Sequence, residues 1–147
     1  MRSDTLLLRP ALERHAAALS GLLGELGHPA TPAQVAVRLG DLRRRDPDGF
    51  LMVAEVAERA VGLVAAHLTP MLHRERPVGR VTTLVVGADQ RGHGIGALLL
   101  AAAVDWCRER GATRIELTSG DARPDAHAFY EHRGWRREGA RFVLEEE

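Results

Sequence analysis

The chain is short of several things, and each shortage narrows the reading. It contains no lysine; all its cations are arginine, and they balance Asp+Glu at 20 each, for a net charge of zero. A neutral chain offers no global electrostatic case for a nucleic-acid partner. One cysteine, Cys107, leaves no internal disulfide to form, which agrees with a reducing compartment. It falls in an apolar helical run, where a thiol acts as a small hydrophobe. Aromatics are only 4% of residues, with a single tyrosine, Tyr130. No apolar run is long: Gly94 to Val104, the longest, is too short for a bilayer span. The opening MRSDTLLLRP has no apolar core long enough for a secretory signal, so the expected location is cytoplasmic. Low-complexity tracts, internal repeats and domain boundaries are absent as well, and 147 residues suit one domain over 1–147 with a substantial core.

What is present centres on Val81 to Leu100, VTTLVVGADQRGHGIGALLL. A β-branched apolar run leads through a polar turn into closely spaced glycines, then into an Ala/Leu-rich helical run. A strand, glycine loop and helix N-terminus in that order present unpaired N–H groups at the positive end of a helix dipole. Glycine permits positive φ and close approach of a ligand. The combination suits a phosphate or pyrophosphate.

Two patterns fit these glycines. Gly92, Gly94 and Ala97 satisfy the dinucleotide fingerprint, and Glu116 lies where a ribose-binding acid would be expected. Against it, Gly87 to Arg91 separates the strand from the first glycine. Too little chain follows Glu116 for a six-strand doubly wound sheet. No Gly-Lys-Ser/Thr follows either, so the P-loop pattern fails. The other pattern is R-x-x-G-x-G, at Arg91, Gly94 and Gly96.

The pattern along the chain predicts a mixed α/β fold with a largely antiparallel central sheet flanked by helices. Thr5–Arg9 reads as a strand, with Pro10 opening a helix that carries Leu12, Ala16, Leu19, Leu22, Leu23 and Leu26 to a stop at Gly27. Gly21 and Gly24 weaken it. Thr31-Pro32-Ala33-Gln34 is a helix start with a capping box, and Asp46-Pro47-Asp48-Gly49 is its end. Strands are predicted at Phe50–Val56, Val61–Thr69, Val81–Val86 and Ile115–Thr118, and helices at Gly94–Arg110 and Ala126–His132, the last capped by Asp125. A closing hairpin is predicted from Trp135–Glu138 and Arg141–Glu145, turning at Gly139-Ala140.

Together with Ala128-Phe129-Tyr130 and Arg133-Gly134-Trp135, the R-x-x-G-x-G stretch resembles the GNAT family of N-acetyltransferases. The resemblance implies the acyl-CoA N-acyltransferase fold, with acetyl-CoA as cosubstrate and direct acetyl transfer to a primary amine, most simply that of a small molecule. A peptide or protein amine, or a catalytically silent acyl-CoA-binding regulatory module, are the alternatives. No nucleic-acid or membrane partner is implied, and a homodimer is a common family state.

The resemblance also distributes roles. The N–H groups of Gly92, His93, Gly94, Ile95 and Gly96, with Arg91, would hold the pyrophosphate. Exposed backbone of Leu84, Val85 and Val86 would pair with the pantetheine arm as an added strand, and a strand N–H at Val86 or its neighbour would stabilise the oxyanion. Ser119 and Phe129 would complete the cofactor contacts. Tyr130 would protonate the departing thiolate. Family members often carry a glutamate on the central strand as base; here Thr82 and Thr83 stand in that region. His67, His73, Glu116 and Glu25 are the candidates for that task, and the histidines are favoured because imidazole titrates in the useful range. Solvent is a further proton acceptor.

The run from Leu63 to Val86, with His67 and His73, and Asp125-Ala126-His127-x-Phe129-Tyr130 are most similar to the aminoalkylphosphonate N-acetyltransferases. That likeness implies a second role for His67 and His73, as ligands of a divalent metal. Two histidines six apart do not define a metal site on their own, and no metal ligand set is assigned. The acceptor pocket is expected from Gly27–Pro32, Thr69–Val78 and the closing hairpin.

Overall fold

The computed structural model describes residues 5–119 and 124–146. The chain divides into two compact units, residues 1–117 and 118–147.

In the first unit the order is β1 (Leu6–Pro10), α1 (Ala16–Leu26), α2 (Pro32–Arg45), β2 (Phe50–Val56), β3 (Arg59–Thr69), β4 (Val78–Val86), α3 (Ile95–Glu109) and β5 (Arg114–Leu117). The five strands form one sheet in the order β1-β2-β3-β4-β5. The first three pairings are antiparallel and β4–β5 is parallel, with α3 supplying the crossover that parallel neighbours need. The expected mixed, largely antiparallel sheet is therefore what forms.

Pro10 does not open the first helix. It closes β1, opposite Met52, and a short 3₁₀ turn at Glu13–His15 precedes α1. An edge strand tolerates proline because the missing N–H costs no ladder bond on its outer side. Gly27 ends α1 in the left-handed conformation, φ 97°. The capping box of α2 forms as expected: Gln34 N–H donates to Thr31 Oγ1 at 3.1 Å, and Thr31 N–H donates to Gln34 Oε1 at 2.9 Å. Gly24 lies inside α1, and a Cβ there would meet nothing within 4 Å. Gly24→Ala should therefore raise unfolding free energy by about 0.5–1 kcal/mol, read from a urea midpoint shift at unchanged slope.

One face of the sheet packs on α1 and α2. Leu19, Leu22, Val35 and Leu39 meet Val53, Leu63 and Val85 there. The other face packs on α3, whose Leu99 approaches Gly62 and whose Cys107 approaches Gly79 so closely that a Cβ at Gly79 would come within 2.5 Å of its Sγ. Trp106 of α3 stacks on Phe50 with centroids 5.5 Å apart. Cys107 is fully buried, and burial pushes its thiol pKa up, which keeps it an inert part of the core.

In the second unit, α4 (Pro124–Glu131) starts earlier than the sequence pattern suggests. Asp125 falls in its first turn rather than at its cap, because proline is accepted at a helix start. The closing hairpin is not formed. Gly139 does turn, with φ 74°, but 135–146 carries no strand. Phe142 and Leu144 are 94% and 88% exposed. Phe142-Val143-Leu144 is a continuous apolar run, not an alternating one, and Arg136-Arg137-Glu138 offers it no apolar face. A two-stranded ribbon without a packed face is marginal in water. Among the described residues no helix is long and apolar enough to cross a membrane.

Candidate active site

The site is built on β4. Its ladder with β3 slips between Ala65 and Ala66, so that Ala65 faces Thr83 and Ala66 faces Val81. Thr82 is thus the extra residue of a bulge, its side chain exposed. A bulge bends its strand and increases local twist. On its other side β4 pairs with β5 only from Val78 to Val81. Beyond that point 82–86 runs on without a β5 partner, and Leu84, Val85 and Val86 lie in this stretch. Val85 faces Leu63 across the ladder and points its side chain into the α1–α2 core.

The strand leads through a 3₁₀ turn at Ala88–Gln90 to the glycine loop. Gly92 and Gly94 have φ of 86° and 78°. Both positions need glycine, and a Cβ at either would meet nothing within 4 Å. Gly94 is the N-cap of α3, and its carbonyl accepts Leu98 N–H at 3.1 Å. The N–H groups that precede Leu98 have no intrahelical acceptor. Ile95 is buried, with its side chain toward Gly62, so only its backbone faces the loop; His93 is exposed. Arg91 turns back on the strand: Nε–H donates to the Val86 carbonyl at 3.3 Å, and the guanidinium lies 3.9 Å from Glu25. Glu25 in turn accepts Ala88 N–H at 2.8 Å. That carboxylate braces the loop.

The candidate bases are not gathered at one point. Glu116 accepts from Arg114 at 2.9 Å and lies 3.9 Å from Arg80. His73 is exposed in the turn Met71–Arg74. His67 is paired: its Nδ1 lies 2.6 Å from Asp46 Oδ2. Among the described residues no group of three or more His, Cys, Asp or Glu converges as a metal site.

In the second unit, Tyr130 is half-buried beside other rings. It meets Phe129 edge-on at 5.3 Å and Trp135 at 6.1 Å. Its carbonyl accepts N–H bonds from Arg133 and Trp135. The Arg133 guanidinium lies 3.9 Å over the Phe129 ring, and His127 Nδ1 is 2.6 Å from Arg137. Ser119 belongs to the same unit and is half-buried.

Two polar pairs escaped the sequence reading. Asp46 reads there only as a helix stop. Glu55 and His15, each 3% exposed, form a buried pair with Nε2 to Oε2 at 2.5 Å. Leu12 N–H donates to His15 Nδ1 at 2.9 Å, which leaves the ring proton on Nε2 facing Glu55. Arg9 and Arg14 each add a contact of 2.9 Å to the same carboxylate. The legible signal was a lone acid in the apolar strand FLMVAEV.

Comparison with known proteins agrees with this architecture. The model of the Acetyltransferase (GNAT) family matches residues 17–135. The chain belongs to that family. It is 35% identical over 98 residues to an aminoalkylphosphonate N-acetyltransferase of Salmonella typhimurium, covering 67% of this chain and 64% of that protein. It is 34% identical over 116 residues to a mycothiol acetyltransferase of Thermobispora bispora, covering 72% of this chain and 38% of that one. The chain thus spans less than two thirds of the length of either. Among solved structures, an acetyltransferase of Trypanosoma brucei superposes with a TM-score of 0.79 at 26% identity, over 97% of this chain and 100% of that one.

Proposed function

We propose that the protein is an acetyl-CoA-dependent N-acetyltransferase that moves the acetyl group directly to a primary amine of a small molecule. The observation that carries this reading is the stretch 82–86 of β4. It has lost β5, keeps β3 and runs straight into positive-φ glycines at the start of α3. A pantetheine arm can pair at Leu84 to Val86 along the edge that β5 leaves, while the pyrophosphate takes the N–H groups of Gly92 to Gly96. Arg91 precedes that loop and His93 lies within it, and Ser119 and Phe129 complete the cofactor contacts. A strand N–H near Val86 holds the oxyanion, and Tyr130 protonates the leaving sulfur. Two relatives whose names state small-molecule acceptors support that acceptor class.

A thiol-release screen with acetyl-CoA and a panel of small amines tests the activity. Release that depends on one amine class is the expected result; binding of acetyl-CoA with no release for any amine would overturn it. Gly96→Val tests the loop. The added side chain obstructs the anion's approach, so acetyl-CoA affinity by calorimetry should fall at least about tenfold, or 1.4 kcal/mol. An unchanged dissociation constant in the folded variant would remove the loop from the site.

A further inference from the structure

We propose that His67 accepts the amine's proton, that Asp46 positions its ring, and that the cleft beside them seats the acceptor. The inference rests on the acetyltransferase reading above. Asp46 and His67 come from different elements, the C-terminus of α2 and the end of β3, and meet at 2.6 Å. A carboxylate accepts and does not donate, so the ring proton lies on Nδ1 and the Nε2 lone pair is left for another partner. Among the described residues Nε2 carries no hydrogen bond. His15 differs on this point, because both of its nitrogens are engaged. It holds structure, and His67 has a nitrogen to spare.

The carboxylate is well seated. Asp46 N–H donates to the Leu42 carbonyl at 2.8 Å, and Gly49 N–H donates to the Asp46 carbonyl at 3.0 Å. A Cβ at Gly49 would come within 2.6 Å of Asp46 Oδ2, so the glycine makes room for the carboxylate. Both side chains line a cleft of about 370 Å³ whose other walls include Pro10, Leu42, Leu51 and Arg43. Apolar walls with a few convergent polar groups are what a small-ligand site requires, and the volume lies in the usual range. The two side chains are 25% and 38% exposed, which leaves a route for the proton to solvent.

The pair is also near the reacting strand. His67 faces Arg80 across the β3–β4 ladder, and Arg80 is followed by Val81, the last residue of β4 paired to β5. Thr83 is one strand over, roughly 5 Å, and three residues along at about 3.3 Å each, so the amine seated in the cleft has to bridge from Nε2 to the thioester. His67 shares a sheet face with Leu63, four residues earlier, so both look toward α1 and α2.

The proton balance closes without another reactant. The ammonium gives one proton to Nε2, and the neutral nitrogen forms a bond to the thioester carbonyl carbon. The carbon–sulfur bond breaks and the sulfur takes a proton from the general acid. The nitrogen's second proton, lost as the adduct collapses, replaces the one the general acid gave to sulfur, and the imidazolium returns its own to solvent. Ammonium and thioester thus yield amide, thiol and one proton.

The test uses the full chain with an amine found by the thiol-release screen. His67→Gln and His67→Ala should lower kcat/KM for the amine by about 10²–10⁴-fold, with acetyl-CoA affinity unchanged. Imidazole added to His67→Ala should restore much of the rate. Asp46→Asn should cost about tenfold or more, because an amide can donate to Nδ1 and select the other tautomer. Nitrogen-15 spectra should place the ring proton on Nδ1 in the wild type and move it in Asp46→Asn. If His67→Ala does not fold, His67→Gln and Asp46→Asn decide. Wild-type turnover in His67→Gln with chemistry rate-limiting, or a wild-type ring without the Nδ1 proton, overturns the pair alone. A wild type that binds acetyl-CoA but acetylates no amine removes the acetyltransferase reading, and the pair's role falls with it.

Discussion

Tyr130→Phe should slow turnover by about 10²–10⁴-fold, the usual worth of a positioned general acid. The substitution removes one oxygen and keeps the ring. The edge contacts with Phe129 and Trp135 belong to that ring, and the bonds from Arg133 and Trp135 go to the backbone carbonyl of residue 130. The variant should therefore still fold and bind acetyl-CoA. Thiolate is a fair leaving group, so some activity survives. Because protonation of sulfur happens in the transition state, kcat and kcat/KM for the amine should fall together. A variant that keeps the wild-type rate while chemistry is rate-limiting would reduce Tyr130 to packing and pass the proton donation to water.

The cofactor loop was legible in the sequence because its demands are local. Positive φ at Gly92 and Gly94 and an unpaired helix start require particular residues at particular spacing, and the chain displays them in order. The strands themselves were readable for a similar reason, since β-branched runs bounded by turns are local signals, although β3 and β4 begin at Arg59 and Val78, before the expected Val61 and Val81. The bulge at Thr82 was not readable. It arises from the register of β3 against β4, and register belongs to a pair of strands. The early departure of β5 is likewise a property of the sheet.

The polar pairs fall on the same side of that divide. His67 was singled out for its chemistry, yet its partner lies 21 residues away, at a helix end whose Asp-Pro-Asp-Gly already had a complete local explanation. Glu55 and His15 are 40 residues apart and meet only when α1 is laid on the sheet. The closing hairpin failed for the opposite reason. The chain does turn at Gly139, but a turn does not make a ribbon when the strands have no apolar face to bury.

Glu55→Gln should destabilise the fold by about 1.5–3 kcal/mol at pH 7, the range for hydrogen bonds to a charged group. The amide has nearly the same shape, so no cavity complicates the comparison. The loss should depend on pH in a definite direction. The His15 hydrogen bond is the main influence holding the Glu55 carboxyl below its ordinary value of 4.5; burial opposes it, and Arg14 adds to the lowering. In the unfolded chain the same carboxyl takes up a proton near that ordinary value. The unfolded state therefore binds the proton first as pH falls, and acid favours unfolding. The stabilisation is complete above about 4.5 and is lost as pH drops through the lower folded value. Urea unfolding of wild type and Glu55→Gln at several pH values reads this directly, since other carboxylates titrate alike in both proteins. The gap between them should be widest at neutral pH and close progressively below 4.5. A gap of constant size across that range would mean that the carboxylate's charge contributes nothing, and that Glu55 holds α1 to β2 by shape and neutral hydrogen bonding alone.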